Sequence, residues 1–230
     1  MKDNVKVVAF DADDTLWINE PFFEEAEKKF CGLMEDFLSH QSISQVLFTT
    51  QVDNLPLYGY GIKGYILSMI ETANKISDGK VSSKTFLKIT EIGKELLQKP
   101  VDLLPGVNET LAELQKKYKL VVATKGDLKD QHRKLHLSGL GSYFHHIEVM
   151  TEKAEEDYEK LLNRLDIKGD EFFMIGNSLK SDVLPVLNVG GSAVHVPFTT
   201  TWAHERIDHE IVHPKFKTVS NISEVLDILL

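Results

Sequence analysis

Short runs of consecutive apolar residues alternate along this chain with longer amphipathic segments. A short apolar run is typical of a strand buried on both faces of a parallel sheet, and apolar residues at three- and four-residue spacing are typical of a helix. The runs that predict strands are Val7–Phe10, 120–123, 145–150, 171–175 and 193–196. Helical patterns lie before, between and after the later runs, at 107–118, 128–137, 155–165, 182–189 and 221–230. The alternation predicts an α/β fold with a doubly wound, Rossmann-like parallel sheet.

A long helical stretch interrupts this alternation between the first strand and the second. The helical patterns in it are 21–38, 42–51, 61–75 and 82–98, with Ser82 or Ser83 as the candidate N-cap of the last. A connection containing Pro56 is predicted at 53–60. This stretch is longer than a single crossover connection between two parallel strands. Residues 18–99 are therefore predicted to form an inserted all-helical cap domain. Residues 1–17 and 100–230 then form the α/β core, and the cap is expected to act as a lid.

The composition is that of an ordinary globular protein, because 42% of the 230 residues are hydrophobic and 27% are charged. The formal net charge of −9 argues against a nucleic-acid partner, since such a surface carries a basic patch. No run approaches the ~20 apolar residues of a membrane span, and the first residues lack the pattern of a signal peptide. Cys31 is the single cysteine, which favours a reducing, cytoplasmic location. The oligomeric state has no signature in the sequence.

Three aspartates follow the first predicted strand almost at once. Asp11, Asp13 and Asp14 repel one another and lose hydration beside a buried strand. A bound cation would offset that cost, and Mg²⁺ is suited to it as a hard ion that binds carboxylates and phosphate oxygens. The alternative is an acidic turn in which aspartate serves as turn former and helix cap. On this cluster alone both interpretations stand, and Asp14 is expected to cap the turn.

The later strands also end in residues that carry chemistry. Thr124 and Lys125 follow the second predicted strand, Lys153 the third, and Asn177 and Asp182 the fourth. In a doubly wound sheet, ligands bind outside the carboxyl ends of the strands, at a topological switch point. These side chains are therefore expected to gather near the acidic cluster, although each is common in a turn when taken alone.

In this order, the strand-end sequences resemble the four motifs of the haloacid dehalogenase superfamily. FDADDTLW resembles the first motif, VVATKGD the second, the lysine of VMTEKAEEDYEKL the third, and IGNSLKSDV the fourth. The resemblance covers essentially the whole chain. The position of the helical insert resembles that in the subgroup whose cap lies between the first two motifs. The resemblance implies a hydrolase, and first of all a Mg²⁺-dependent phosphatase that acts on a small-molecule phosphate monoester.

The resemblance also implies a role for each catalytic residue. Asp11 would attack phosphorus and form an aspartyl-phosphate, which splits one difficult hydrolysis into two steps. Asp13 would protonate the leaving oxygen and then accept a proton from the attacking water. Thr124 would bind a phosphoryl oxygen, and Lys153 would neutralise negative charge on the nucleophile and the phosphoryl group. Lys125, beside Thr124, is included with them among the substrate-binding residues.

The magnesium ligands that the resemblance implies are Asp11, the backbone carbonyl of Asp13, Asn177 and Asp182. One of them, Asn177, departs from the family pattern. The fourth motif usually opens with aspartate, and the amide oxygen of Asn177 is a weaker Mg²⁺ ligand than a carboxylate. A working site is expected, since Asp182 retains a carboxylate. The other departure is Ala154, where proline is common in relatives, which affects the shape of the loop more than the charge of Lys153.

Other functions stay open on the sequence. A 2-haloacid dehalogenase of the same fold uses the first aspartate but needs neither a metal nor an acid two residues on, so Asp13 argues against it. A phosphomutase differs by protecting the phosphoenzyme from water. An inactive protein that binds a phosphate ligand would follow if Asn177 disables the metal site. For an enzyme, the expected partner is a small phosphate ester, either a sugar phosphate or a nucleotide, with no nucleic acid or membrane. His132 and His136 have metal-ligand spacing but no acidic third ligand.

Overall fold

The computed structural model describes residues 4–230, and these form two compact units. The first unit contains the described residues up to Glu20 together with Val101–Lys125 and Gln131–Leu230. The second contains Pro21–Pro100 and Gly126–Asp130. Residues 1–3, part of the predicted core and of the argument against a signal peptide, lie outside the described residues.

A six-stranded parallel sheet forms the centre of the first unit. Its strands are β1 (Val7–Phe10), β2 (Lys119–Lys125), β3 (His146–Met150), β4 (Phe172–Gly176), β5 (Ser192–His195) and β6 (Phe216–Thr218). They lie in the order β3–β2–β1–β4–β5–β6. The predicted α/β class with a doubly wound parallel sheet is therefore confirmed. The last strand, β6, is absent from the sequence prediction because three residues, Phe-Lys-Thr, are too few to give a hydrophobic pattern.

The register of the sheet shows where β1 ends relative to its two neighbours, because β2 continues three residues and β4 one residue beyond the end of β1. Phe10, the last residue of β1, lies opposite Val122 on one side and Ile175 on the other. The chain reaches β2 on one side of β1 and β4 on the other, so the strand order reverses at β1. This is the topological switch point at which ligands bind in open α/β sheets.

Both faces of this sheet are covered by apolar side chains. The helices that follow the first strand in this unit are α5 (Val107–Leu114), α6 (Leu128–Leu137, from Gln131 onward), α7 (Glu155–Leu165), α8 (Leu184–Asn188) and α9 (Val225–Leu229). Val8 and Phe10 point to the face that packs with α5 and α9. Val7 and Ala9 point to the opposite face, with α7 and α8. The uninterrupted apolar run of β1 is thus explained by burial on both sides.

The second unit is helical in its regular elements. These are α1 (Glu20–Met34, from Pro21 onward), α2 (His40–Tyr58), α3 (Ile62–Ile76) and α4 (Ser83–Gln98). Their apolar faces form a separate core that includes Phe30, Leu47 and Met69. Ser82 is the N-cap of α4, since its side chain accepts the backbone N–H of Thr85.

The connection predicted at 53–60 is wrong, because α2 continues through it to Tyr58 and includes Pro56. Pro56 lies in the last turn, where the missing N–H removes only one helix hydrogen bond. Gly59 then ends the helix with a left-handed φ of 69° and donates its N–H to Leu55 O. Among the residues that the structure describes, no helix is long and apolar enough to cross a membrane.

Candidate active site

Asp11 is the first residue after β1, and it is buried. Its backbone N–H extends the sheet by donating to Ile175 O at 2.9 Å. Its Oδ1 accepts from Nζ of Lys153 at 2.5 Å, and its Oδ2 accepts from Oγ1 of Thr15 at 3.1 Å. Burial raises the pKa of Asp11 to about 7, the Lys153 ammonium acts in the opposite direction, and Asp182 adds to the rise. An oriented, desolvated carboxylate of this kind is suited to nucleophilic attack.

Lys153 joins Asp11 to Asp182 at this edge of the sheet. Its Nζ lies 2.6 Å from Oδ1 of Asp182, and the residue is only 2% exposed. Burial alone would lower the pKa of Lys153, but the two carboxylates outweigh that effect, so the pKa is raised and the amine stays charged. The cluster contains two carboxylates and one ammonium, so its net charge is negative and further positive charge would stabilise it.

The loop before α7, which contains Lys153, is held by a hydrogen bond from Ala154. This is the position at which proline is common in the superfamily. Lys153 has a φ of 58°, in the left-handed region that costs a non-glycine residue ~1 kcal/mol. The N–H of Ala154 donates to Oδ2 of Asp157 at 3.2 Å, in the first turn of α7. A proline at position 154 has no N–H to donate. The departure at Ala154 therefore changes how the loop is held but leaves Lys153 in contact with Asp11.

Asp182 is presented by a short π-helical turn, Leu179–Val183, that follows β4. Its Oδ2 accepts the backbone N–H of Ser178 at 2.9 Å, while its Oδ1 faces Lys153. Gly176, the last residue of β4, allows this carboxylate to lie directly against the strand. The N–H of Ser178 and the Lys153 ammonium therefore orient Asp182 through its two carboxylate oxygens.

Asp13 lies two residues after Asp11, and its carboxylate is surrounded by hydrogen-bond donors. Oδ1 accepts from Nε1 of Trp17 at 2.7 Å and from Nζ of Lys134 at 2.6 Å. Oδ2 accepts from the same Nζ at 2.8 Å and from Nε2 of Gln131 at 3.1 Å. Both oxygens of Asp13 thus have hydrogen-bond donors on the protein, which fix the orientation of the carboxyl group.

Thr124 and Lys125 are the last two residues of β2, and they have different surroundings. Oγ1 of Thr124 accepts from Nε2 of Gln131 at 2.7 Å. The Nζ of Lys125 lies 2.5 Å from Oε1 of Glu205 and 2.9 Å from Oγ of Ser181. The structure thus places Thr124 beside the group around Asp13, whereas Lys125 forms an ion pair with Glu205. A substrate-binding role for Lys125 stays a prediction.

Glu205 is a largely buried acid, with 12% of its side chain exposed, at the end of a short 3₁₀ turn, Ala203–Glu205, that follows β5. Its Oε2 accepts from the hydroxyls of Ser178 and Ser181, each at 2.5 Å. Burial acts to raise the pKa of Glu205, but Lys125 and the two hydroxyls outweigh it and lower the pKa to about 2. Glu205 therefore ties the end of β2 to the turn that presents Asp182.

Oxygen atoms of the kind that magnesium prefers lie close together at the switch point. Oγ1 of Thr15 is 3.1 Å from Oδ2 of Asp11 and 3.5 Å from Oδ1 of Asn177. Asp182 is linked to the same cluster through Lys153. Within residues 4–230, no three His, Cys, Asp or Glu side chains are grouped so that they could hold a metal ion. The predicted donors, an amide oxygen and a main-chain carbonyl beside two carboxylates, are of the kinds that a hard ion such as Mg²⁺ takes, and their role as ligands stays a prediction.

Asp14 has a capping role, as expected, but it caps the start of α1 and not the turn after β1. Its Oδ1 accepts the backbone N–H of Asn19 at 2.8 Å, and its Oδ2 accepts that of Glu20 at 3.0 Å. Glu20 begins α1, so the carboxylate caps the start of that helix. Burial raises the pKa of Asp14 to about 7, and the backbone hydrogen bonds act against the rise.

The sequence patterns do not point to Gln131, Lys134 or Glu205, although all three contact predicted site residues. Gln131 and Lys134 are three positions apart on α6, so they share one side of that helix. That spacing, on a helix directly after the second motif, was the available signal. The pair His132 and His136 has no third ligand within the described part of the chain.

Comparison with known proteins places this geometry among characterised folds. Residues 5–190 match the family model described as haloacid dehalogenase-like hydrolase. The chain is 30% identical over 131 residues to a glyceraldehyde 3-phosphate phosphatase of Methanothermobacter thermautotrophicus, which covers 54% of this chain and 58% of that protein. It is 23% identical over 239 residues to the glyceraldehyde 3-phosphate phosphatase of Pyrococcus furiosus, covering 98% of this chain and 93% of that one.

Two solved structures illustrate the range of similar folds. A haloacid dehalogenase-like family hydrolase from Xanthomonas campestris is 37% identical, with a TM-score of 0.87, and the match covers 96% of this chain and 88% of that one. A 2-haloacid dehalogenase from Pseudomonas syringae is 21% identical, with a TM-score of 0.64 and 97% of each chain covered. The second likeness concerns the fold alone.

Proposed function

The chain belongs to the haloacid dehalogenase-like hydrolase family, and from that premise we propose that it is a Mg²⁺-dependent phosphatase of a small-molecule phosphate monoester. The observation that carries the proposal is the carboxylate of Asp13, held by Trp17, Gln131 and Lys134 two residues after Asp11. A phosphatase needs an acid at this position to protonate the leaving oxygen. A dehalogenase expels halide, which needs no proton.

In the first step of the proposed reaction, a carboxylate oxygen of Asp11 forms a bond to phosphorus. The bond between phosphorus and the ester oxygen breaks, its electron pair goes to that oxygen, and Asp13 supplies the proton that makes the product alcohol. Thr124 binds a phosphoryl oxygen through its hydroxyl. Lys153, already in contact with Asp11, offsets the negative charge that gathers on the phosphoryl group. The product of this step is an aspartyl-phosphate on Asp11.

In the second step, water attacks the phosphorus atom and gives a proton to Asp13. The bond between phosphorus and Asp11 breaks, inorganic phosphate leaves, and the Asp11 carboxylate is restored. Asp13 then holds the proton that the next substrate requires. Asp11, the main-chain carbonyl of Asp13, Asn177 and Asp182 would hold Mg²⁺, and the bound ion would neutralise charge on the phosphoryl oxygens.

The substrate class rests on the named relatives and on the chemistry of the site. Both archaeal relatives are named as phosphatases of a three-carbon sugar phosphate. We therefore place a small sugar phosphate first and keep a nucleotide as the second possibility. A phosphomutase remains the closest alternative within the family. A cytoplasmic location is part of the proposal, supported by the single cysteine.

Hydrolysis of para-nitrophenyl phosphate tests the proposal. Wild type is assayed with about 10 mM Mg²⁺ and with EDTA, beside Asp11→Asn and the control Asp53→Asn, which makes the same change at an exposed position. We expect metal-dependent turnover in wild type and in the control, and a loss of at least ~10³-fold in Asp11→Asn. Turnover of Asp11→Asn at the wild-type rate would refute the nucleophile assignment. If wild type is inactive on every ester of a metabolite screen but releases halide from 2-haloacids without metal, the chain is a dehalogenase.

A further inference from the structure

Two side chains of α6 reach the carboxylate of Asp13 from one side of the helix. Lys134 contacts both oxygens of Asp13, at 2.6 and 2.8 Å, and Gln131 contacts one of them at 3.1 Å. Both residues are buried, with 8% of Lys134 and 2% of Gln131 exposed. Taking a lysine ammonium out of water is costly, and contact with both oxygens of one carboxylate is the feature that offsets the cost here.

Gln131 also connects Asp13 to the residue proposed to bind the phosphoryl group. The same Nε2 atom lies 2.7 Å from Oγ1 of Thr124 and 2.7 Å from the main-chain oxygen of Lys125. A single amide therefore contacts both the Asp13 carboxylate and the Thr124 hydroxyl.

Lys134 has a further polar contact that limits its freedom. Its Nζ lies 3.3 Å from Oδ1 of Asn19, near the start of α1. The ammonium is thus held by Asn19 as well as by Asp13, and this restricts where the Asp13 carboxylate can lie. Charge-assisted hydrogen bonds of this kind are shorter and stronger than neutral ones.

We propose that Gln131 and Lys134 are positioning residues that hold Asp13 in place for proton transfer to the leaving oxygen. The inference rests on the proposed phosphatase function and extends it to two residues outside the four motifs. Neither side chain is assigned contact with the reacting atoms. They act by fixing the carboxylate of Asp13 beside Thr124, since general acid catalysis depends on the acid lying within hydrogen-bond reach of the oxygen that it protonates.

This role has a kinetic signature that depends on the leaving group. An alkoxide is a poor leaving group and needs its proton from Asp13, whereas 2,4-dinitrophenolate leaves readily without one. The value of kcat/KM reports the steps up to departure of the leaving group, so the later hydrolysis of the aspartyl-phosphate does not enter. A misplaced Asp13 should therefore reduce kcat/KM for an alkyl phosphate far more than for 2,4-dinitrophenyl phosphate.

The test measures kcat/KM on 2,4-dinitrophenyl phosphate and on glycerol phosphate, which serves as the alkyl ester. The variants are Lys134→Met, Gln131→Leu and Lys134→Arg. The control is Lys129→Met, which removes an exposed lysine from the same helix. We expect Lys134→Met to lose about 100-fold in kcat/KM on the alkyl ester and less than about tenfold on the aryl ester. Gln131→Leu should show the same selective loss, Lys134→Arg should recover part of the alkyl activity, and Lys129→Met should behave as wild type.

Equal losses on the two esters in both Lys134→Met and Gln131→Leu would overturn the inference, because a structural defect does not distinguish leaving groups. If Lys134→Met fails to fold, the same comparison in Gln131→Leu and Lys134→Arg decides the question. A wild-type protein that hydrolyses neither these esters nor any in the metabolite screen would overturn the phosphatase proposal itself. The two failures are distinguishable. An inactive wild type contradicts the phosphatase function, whereas an active wild type with equal losses in the variants contradicts only the positioning role of Gln131 and Lys134.

Discussion

Gly176 and Asp182 lie so close together that a Cβ atom at position 176 would be 2.2 Å from Oδ2 of Asp182. Gly176→Ala should therefore displace the carboxylate that contacts Lys153. We expect turnover to fall about 100-fold, since a displacement of about 1 Å in an active site costs that much, and the free energy of unfolding to fall by ~1–3 kcal/mol. Ester hydrolysis and urea unfolding of the purified variant measure both effects.

Gly141 provides the matched control for this substitution. A Cβ atom built there meets no other atom within 4 Å, and its φ is not in the left-handed region. Gly141→Ala should leave turnover unchanged and stability within about 0.5 kcal/mol of wild type. If Gly176→Ala matched Gly141→Ala in both measurements, the close approach of Asp182 to β4 would have no functional importance.

Removal of the buried ammonium should make stability depend on magnesium. Lys153→Met leaves Asp11 and Asp182 without the cation that lies between them, so the variant should lose ~3–5 kcal/mol in EDTA. Bound Mg²⁺ would supply positive charge to the same carboxylates and should recover part of the loss, because a ligand that binds the folded state stabilises it. Turnover should fall at least ~10³-fold. Thermal unfolding with and without Mg²⁺ gives the stability result.

The control for this measurement is Lys160→Met, because the Lys160 side chain is 68% exposed. Its melting temperature should respond to Mg²⁺ as that of wild type does. A Lys153→Met variant whose melting temperature does not change with Mg²⁺ would mean that no cation binds near Asp11 and Asp182.

Asn177→Asp should lower the Mg²⁺ concentration needed for half-maximal activity by about an order of magnitude, because a carboxylate binds a hard cation more strongly than an amide oxygen does. The measurement is a Mg²⁺ titration of ester hydrolysis. Asn163→Asp adds the same charge at an exposed position on α7 and should leave the half-activity concentration unchanged. An unchanged value in Asn177→Asp as well would place Asn177 outside the metal site.

The Glu205 carboxylate should contribute stability that is lost in acid. The pKa of Glu205 is lowered from 4.5 to about 2. A lowered pKa means that the stabilisation is complete above about pH 4.5 and disappears as the pH falls toward 2. Glu205→Gln should remove up to about 3 kcal/mol at pH 7 and flatten the dependence of the unfolding free energy on pH below 5. Urea unfolding between pH 7 and pH 3 measures it.

Glu210→Gln, at an exposed position in the same segment, is the control and should keep the wild-type pH dependence. Parallel pH curves for Glu205→Gln and wild type would show that the contacts of Glu205 with Lys125 and the two serines contribute nothing in solution.

The sheet and the acidic edge of the site are predictable from sequence because they depend on local patterns. The apolar run Val7–Phe10 indicates a strand buried on both faces, and Asp11 follows it directly. Parallel strands share their carboxyl edge, so the convergence of Asp11, Lys153 and Asp182 follows once the strands are identified. No distant contact needs to be known for this step.

The surroundings of Asp13 and Lys125 could not be predicted, because their partners are far away in the sequence. Lys134 is 121 residues from Asp13, and Glu205 is 80 residues from Lys125. Glu205 also lies in a segment without hydrophobic periodicity, where register and orientation leave no trace in the sequence. Pro56 was misleading for a different reason, because a proline in the last turn of a helix gives the same local signal as a proline in a connection.

The central position of β1 has a consequence for the growing chain. Val7 pairs with Lys119 on one side and with Phe172 on the other, so the strand that is synthesised first waits longest for its neighbours. Until then, four apolar residues and two unsatisfied strand edges are open to other chains, which is the condition for aggregation during translation. A nascent chain released before Phe172 would keep one of these edges exposed. We expect chaperone dependence and inclusion-body formation to rise steeply for truncations that end before β4.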